Sequence, residues 1–300
     1  MYVILGATGN TGKAAVEALL AKGEKVRAVA RDASKIAERL GSSVEAFAAD
    51  ANDASALTKA LTGAAAAYVM IPPQISAPDF VEAGDKISDA ITEAVKASGI
   101  SHVVLLSSIG AQHEAKTGPI VGLHRFEKKL AAVSGLNAVF LRPPFFMENF
   151  LMAIGLIHSM GFIGNGIKGD MKMPMIAAGD IGREAAEFLV ARDFSGVQVR
   201  GLLGPRDYTQ EDAAHILGAE IGNPKLSYQR FPSFLVEQAL KQMGLPAKTA
   251  ALMSEMNDAF NDGLLNPLEP RSEKNTTPTT LETFAKEVFA PAYKAKAANA

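Results

Sequence analysis

Short apolar runs alternate with segments of helical spacing from the first residues up to Leu141. The runs are Tyr2 to Leu5, Lys25 to Ala30, Val44 to Ala48, Ala66 to Ile71, His102 to Leu106 and Ala138 to Leu141. Several are almost wholly apolar rather than alternating, the pattern of strands buried on both faces of a parallel sheet. Between them, Ala14, Val16, Leu19 and Leu20 share one helical stripe, which Gly23 closes as a C-cap. Ile87, Ile91, Ala94 and Val95 share another. Strand and helix alternating in this way predict right-handed βαβ units and a doubly wound α/β fold.

The alternation stops after Leu141. Pro143, Pro144, Phe145, Phe146, Met147, Phe150 and Met152 make an apolar, irregular stretch, and Gly161, Gly164, Gly166 and Gly169 read as loop. Asp180 to Ala191 reads as a helix and Val197 to Leu203 as a strand. Thr209, with Asp212 three residues on, is an N-cap signal for a helix reaching Ile221. Two more helices are expected over Phe231 to Met243 and Ala247 to Phe260. The Ala/Lys-rich tail from Pro291 to Ala300 is expected to fray.

Composition narrows the class. The chain has 300 residues, 48% hydrophobic and 21% charged, which fits one large or two small globular domains. Thirty basic residues face 32 acidic ones, so no strong basic field recruits nucleic acid. Cysteine is absent, which excludes disulfides, thiolate metal sites and cysteine nucleophiles. The most apolar stretch, Phe150 to Ile167, contains His158, Asn165 and several glycines, and falls short of the ~20 apolar residues of a membrane span. No secretory pattern precedes the first strand. A cytoplasmic protein without membrane or direct nucleic-acid partners is expected.

The first chemical motif is Gly6-Ala7-Thr8-Gly9-Asn10-Thr11-Gly12, directly after the first strand and at the start of the first helix. Glycines there permit a tight turn and close approach of backbone to a diphosphate. The helix N-terminus offers free N–H groups to the anion. A P-loop is excluded: Ala7 stands five residues before Gly12, and Ala14 rather than Ser or Thr follows Lys13. The second strand ends at Arg31, with Lys35 one helical turn later. Dinucleotide sites for NAD place a carboxylate at that point, to bond the ribose 2′-hydroxyl. Two cations suit a 2′-phosphate, so NADP(H) is favoured over NAD(H). Asp32 beside them is the feature that speaks for NAD(H).

GATGNTG, VRAVARD, Ala49-Asp50 with Asp53, Ala56 and Leu57, LLSSIG at 105–110, LRPPFFMENFL at 141–151 and the segment Thr277 to Ala285 together resemble the NmrA-like group of atypical short-chain dehydrogenases/reductases. The resemblance implies a Rossmann-like nucleotide-binding domain over 1–142. It implies a smaller, substrate-covering α/β subdomain over 143–300, with some segments returning to the first. It places Asp50 at the adenine, Pro72 and Pro73 at the ribose, Ser107 near the nicotinamide, and Pro144, Phe145 and Phe146 against the ring. The group holds NADPH-using quinone reductases and redox-sensing regulators, so two functions stand open.

Active short-chain dehydrogenases carry Tyr-x-x-x-Lys on the helix after strand five, an i, i+4 pair on one face. None of the five tyrosines here has lysine four residues later. The helix instead carries His124-Arg125-Phe126-Glu127-Lys128. His124 is the candidate proton donor or acceptor, Lys128 the candidate ribose ligand, and Ser107 a third catalytic candidate. Loss of tyrosine disfavours ketone reduction, whose alkoxide needs a donor, more than quinone reduction, whose hydroquinone anion water can protonate. Phe146 and Phe150 head a Phe/Met-rich stretch running to Met175, suited to walling a flat apolar acceptor. With no cysteine and no His/carboxylate cluster, a metal is not expected. The readings are an NADPH-dependent reductase of a small quinone-like or conjugated carbonyl substrate, and a non-catalytic NADP(H) sensor acting through a protein partner. An epimerase holding NAD suffers from Arg31 and the missing tyrosine. A homodimer is compatible with either leading reading.

Overall fold

The computed structural model describes residues 1–297. Twelve strands run in chain order: β1 Tyr2–Leu5, β2 Val26–Ala30, β3 Glu45–Ala48, β4 Ala66–Val69, β5 His102–Leu106, β6 Asn137–Arg142, β7 Phe145–Phe146, β8 Phe162–Asn165, β9 Met173–Ile176, β10 Val197–Gly201, β11 Asp207–Tyr208 and β12 Ser227–Arg230. The helices used below are α1 Asn10–Ala21, α2 Ala33–Leu40, α3 Ala54–Leu61, α4 Phe80–Ser98, α5 Ile120–Ala131, α6 Ile154–Met160, α7 Ala178–Ala191, α8 Gln210–Glu220, α9 Ser233–Gln242, α10 Ala247–Asn261, α11 Leu281–Phe284 and α12 Ala290–Ala297.

Seven strands form one parallel sheet in the order β10-β6-β5-β4-β1-β2-β3. The strand order reverses between β1 and β4, which creates the crevice where doubly wound sheets bind ligands. The expected Rossmann-like fold is therefore present. β1 and β4 are buried along their whole length, as their unbroken apolar runs require. β3 differs: it is the sheet edge and largely exposed, with Glu45 pairing to Arg27 of β2 at 2.7 Å. A charged pair on an edge strand blunts pairing with other chains.

One face of the sheet is covered by α3, α4 and α5, through Leu57, Leu61, Ile91, Val95, Phe126 and Leu130. The other is covered by α1, α2 and α7, through Val16, Leu19, Ile36, Ile181 and Leu189. After β6 the chain leaves the sheet, and it returns through α7 and β10. α7 lies so close to α1 that a Cβ on Gly182 would sit 2.4 Å from the Thr11 carbonyl oxygen. A third core, with Met147, Phe150, Ile163, Met175, Phe260 and Phe284 among its members, gathers the segments after β6.

Three expectations need correction. The glycine-bearing stretch after Gly161 contains a strand, β8, paired in parallel with β12. Gly164 is a packing residue there, since its Cβ would meet the Phe231 ring at 2.4 Å. Phe231 itself precedes α9, which starts after Pro232. The tail does not begin to fray at Pro291: α11, a wide turn over 285–289 and α12 run continuously to residue 297, anchored by buried Phe284 and Phe289. Residues 298–300 lie outside the described residues. The Thr209 cap is as read: Thr209 Oγ1 accepts from Asp212 N–H at 2.9 Å, and the Asp212 carboxylate accepts from Thr209 N–H at 3.0 Å.

Candidate functional site

The glycine loop turns tightly between β1 and α1. Gly6 adopts φ +68°, a left-handed conformation that glycine takes without strain, and its carbonyl accepts from Gly9 N–H at 2.9 Å. A Cβ on Gly12 would lie 2.3 Å from that carbonyl oxygen, so the helix start can approach the loop only with glycine there. Gly9 caps α1 without a side chain, and the first turn has no acidic residue. The N–H groups of Asn10, Thr11 and Gly12 have no partner among the described residues. Such a turn presents donors and a positive helix end to an anion. Thr11 is nearly buried, and its hydroxyl accepts from Tyr68 Oη at 2.9 Å. Burial drives the Tyr68 phenol well above its ordinary range, which keeps it a donor.

Three exposed cations lie between the end of β2 and the end of α2. Arg31 follows β2, and Lys35 lies on the first turn of α2. Arg39, which sequence reasoning missed, lies on the last turn of α2 and donates to the Thr8 carbonyl at 2.7 Å. Helical spacing from Lys35 is the signal that could have found it. Asp32 is committed elsewhere. Its carboxylate caps α2, accepting from the Ser34 hydroxyl at 2.6 Å and Ser34 N–H at 2.9 Å, and these bonds hold its pKa below the usual range. Asp50, after β3, accepts from Asn52 N–H at 2.8 Å and the Asn52 amide at 2.9 Å; these bonds, with the charge of Arg31, lower its pKa. Pro72 is half-buried after β4, and Pro73 is exposed. A shallow groove of about 720 Å³ lies along the first turns of α4, lined by Asn52, Gln74, Asp79, Glu82 and Lys86 among others.

At the other end lie β5, β6 and α5. His124 Nδ1 is 2.8 Å from the Ala111 carbonyl oxygen, so Nδ1 carries the proton and donates. Nε2 is buried with no hydrogen-bond partner. Lys128, one turn on, is exposed and has no partner among the described residues, whereas its neighbours Arg125 and Lys129 pair with Asp85 and Asp89 at 2.6 and 2.7 Å. Ser107 is buried, and its hydroxyl donates to Glu127 at 2.5 Å. Pro144 is buried, and Phe145 and Phe146 are half-buried. Phe145 packs on Phe150 and Phe260, at centroid distances of 5.4 and 6.3 Å. Phe150 is 2% exposed and belongs to the core behind Phe145.

α10 spans the two ends. Lys248 near its start pairs with Asp79, the cap of α4, at 3.0 Å. Glu255 accepts from Gly118 N–H at 3.4 Å, and Phe260 reaches Phe145. The sequence showed α10 as a helix but gave no sign that it touches both halves. Among the described residues, no helix is long and apolar enough to cross a membrane.

The chain is similar to several known proteins. An NAD(P)H azoreductase from Xenophilus azovorans is 28% identical over 270 residues, covering 85% of this chain and 86% of that protein. Quinone oxidoreductase 2 of Escherichia coli is 28% identical over 296 residues, covering 96% and 97%. A crystal structure of an NADPH-dependent quinone oxidoreductase from Escherichia coli superposes with a TM-score of 0.77 at 25% identity, covering 96% of this chain and all of that one. The profile of the NmrA-like family matches residues 2–285, and the chain belongs to that family.

Proposed function

We propose that this protein is an NADPH-dependent oxidoreductase that reduces a quinone or another small, conjugated acceptor. The observation that carries the cofactor reading is the α1 start: three unpartnered N–H groups, a glycine whose Cβ would fill the approach, and Arg39 bonded to the loop at Thr8. Gly6, Thr8, Gly9, Asn10, Thr11 and Gly12 form the cradle for the diphosphate. Arg31 and Lys35 receive the 2′-phosphate, and the use of Asp32 as a helix cap removes the carboxylate that would favour NAD(H). Asp50 and Pro72 serve the adenosine end, while Lys128, Pro144 and Phe145 serve the nicotinamide end. When bound, NADPH supplies the hydride.

The acceptor reading draws on the names of the relatives and on His124. In its neutral form, His124 holds its proton at Nδ1, against Ala111, and offers Nε2 as an acceptor. It can deliver a proton from Nε2 only as imidazolium. Acceptors whose reduced anion is resonance-stabilised do not depend on that delivery; simple ketones do. The segment after residue 142 covers this end, with Phe146 and α10 as the roof over the acceptor. The test is turnover of NADPH with quinones, azo compounds, enals and ketones by the purified protein. Quinone or azo reduction with little ketone reduction supports the reading. Tight NADPH binding without turnover of any acceptor would favour a redox sensor that signals to a protein partner.

A further inference from the structure

Ser107 just after β5, Glu127 of α5 and Arg142 of β6 meet in the interior, at 3%, 6% and 7% exposure. Arg142 donates to the Glu127 carboxylate through Nε at 2.9 Å and Nη2 at 2.5 Å, and Ser107 donates to the same carboxylate at 2.5 Å. Arg142 also reaches Gln112 through Nη1 at 3.4 Å. A buried ion pair costs desolvation that its attraction only partly repays, so stability is a weak reason for having one. A forked, two-point pair fixes geometry well.

The geometry it fixes is that of α5. This helix begins at Pro119 without a side-chain cap. Glu127 ties it to the ends of β5 and β6, and His124, three residues earlier on the same face, ties it to Ala111. Ser107 and Ala111 both lie in the connection between β5 and α5, so both ties end on one loop and together set the rotation of the helix. The Ser107 proton is held by Glu127, so toward any other group Ser107 Oγ acts as an acceptor. While that bond is made, Ser107 has no proton to donate to a substrate carbonyl.

We propose that Glu127, locked by Arg142, is a positioning residue: it holds Ser107 as a hydrogen-bond acceptor and sets α5 so that His124 keeps Nδ1–H on Ala111 with Nε2 free. The reading of α5 as the nicotinamide end rests on the function proposed above. Two variants test the positioning, Glu127→Gln and the apolar pair Glu127→Leu with Arg142→Met. Nitrogen NMR of the His124 ring, assigned through its loss in His124→Asn, reads the tautomer. Steady-state kinetics with NADPH and a quinone read kcat and KM, and NADPH titration reads Kd.

The wild-type protein is expected to show protonated Nδ1 and bare Nε2. Both variants should mix the tautomers and lower kcat about tenfold to a hundredfold, with NADPH Kd changed by less than about threefold. A native His124 tautomer with unchanged kcat in folded variants, or an equal loss of NADPH affinity, would overturn the proposal. If Glu127→Gln does not fold, the apolar pair, which leaves no charge unpartnered, decides. If the wild-type protein turns over no acceptor, the reductase reading fails and the tautomer measurement alone decides the positioning role.

Discussion

A methyl group at residue 12 has no room in the turn that opens α1. The Cβ of Gly12→Ala would fall 2.3 Å from the Gly6 carbonyl oxygen, and backbone cannot yield as a side chain can. This variant should lose about 1–3 kcal/mol of stability by overpacking and most of its NADPH affinity, as read by thermal melting and fluorescence titration. Cofactor choice belongs to the same scale. Arg31→Ala should raise the NADPH Kd about tenfold or more, the worth of a charge-assisted contact, and leave NADH almost unchanged. Arg39→Ala should weaken both cofactors, because its partner in the structure is the Thr8 carbonyl of the loop. The glycine turn was legible because its geometry is local in sequence. Asp32 was ambiguous in the sequence, since a carboxylate that caps a helix and one that meets a ribose look alike until the Ser34 contacts are seen.

Among the elements, α7 shows how a carboxylate can act through a helix end. Glu148 accepts from Ala178 N–H with both oxygens at 3.0 Å, at the first residue of α7. Burial raises its pKa, and nearby Asp180 adds to the effect. A carboxyl with a raised folded pKa gives most stability below its unfolded pKa and loses it as pH rises through the folded value. The wild-type protein should therefore lose stability just above the ordinary carboxylate range, and Glu148→Gln should flatten that slope in melts taken across pH. The Lys248–Asp79 pair joining α10 to α4 is exposed, so Lys248→Ala should shift stability by less than about 1 kcal/mol. The strands up to Leu141 were legible because most of their runs are apolar and buried in the sheet, β1 and β4 along their whole length; β3, at the exposed edge, still alternates with helices on either side. β8 and β9 were not: β8 has only four residues, two of them Gly164 and Asn165, and Gly164 is present to admit the Phe231 ring. The α11 to α12 segment was missed because its anchors, Phe284 and Phe289, precede the Ala/Lys-rich stretch that reads as tail.

Across the whole molecule, the parallel sheet places the glycine loop, Ser107 and Arg142 at the carboxyl ends of β1, β5 and β6. That the chain would be a dinucleotide-binding α/β protein was written in its first 31 residues. That α10 joins both halves was not, because it meets Asp79, Gly118 and Phe145 from more than a hundred residues away in sequence. Contacts of that separation leave no periodic trace. The central claim is that this site transfers hydride from NADPH to a conjugated acceptor. It is tested most directly by following NADPH oxidation by the purified protein with quinones, azo compounds and simple ketones, with NADH in parallel. The account predicts turnover of quinone or azo acceptors, faster with NADPH than with NADH, and little or none with ketones. Tight NADPH binding with no oxidation by any acceptor, or a clear preference for NADH, would contradict it.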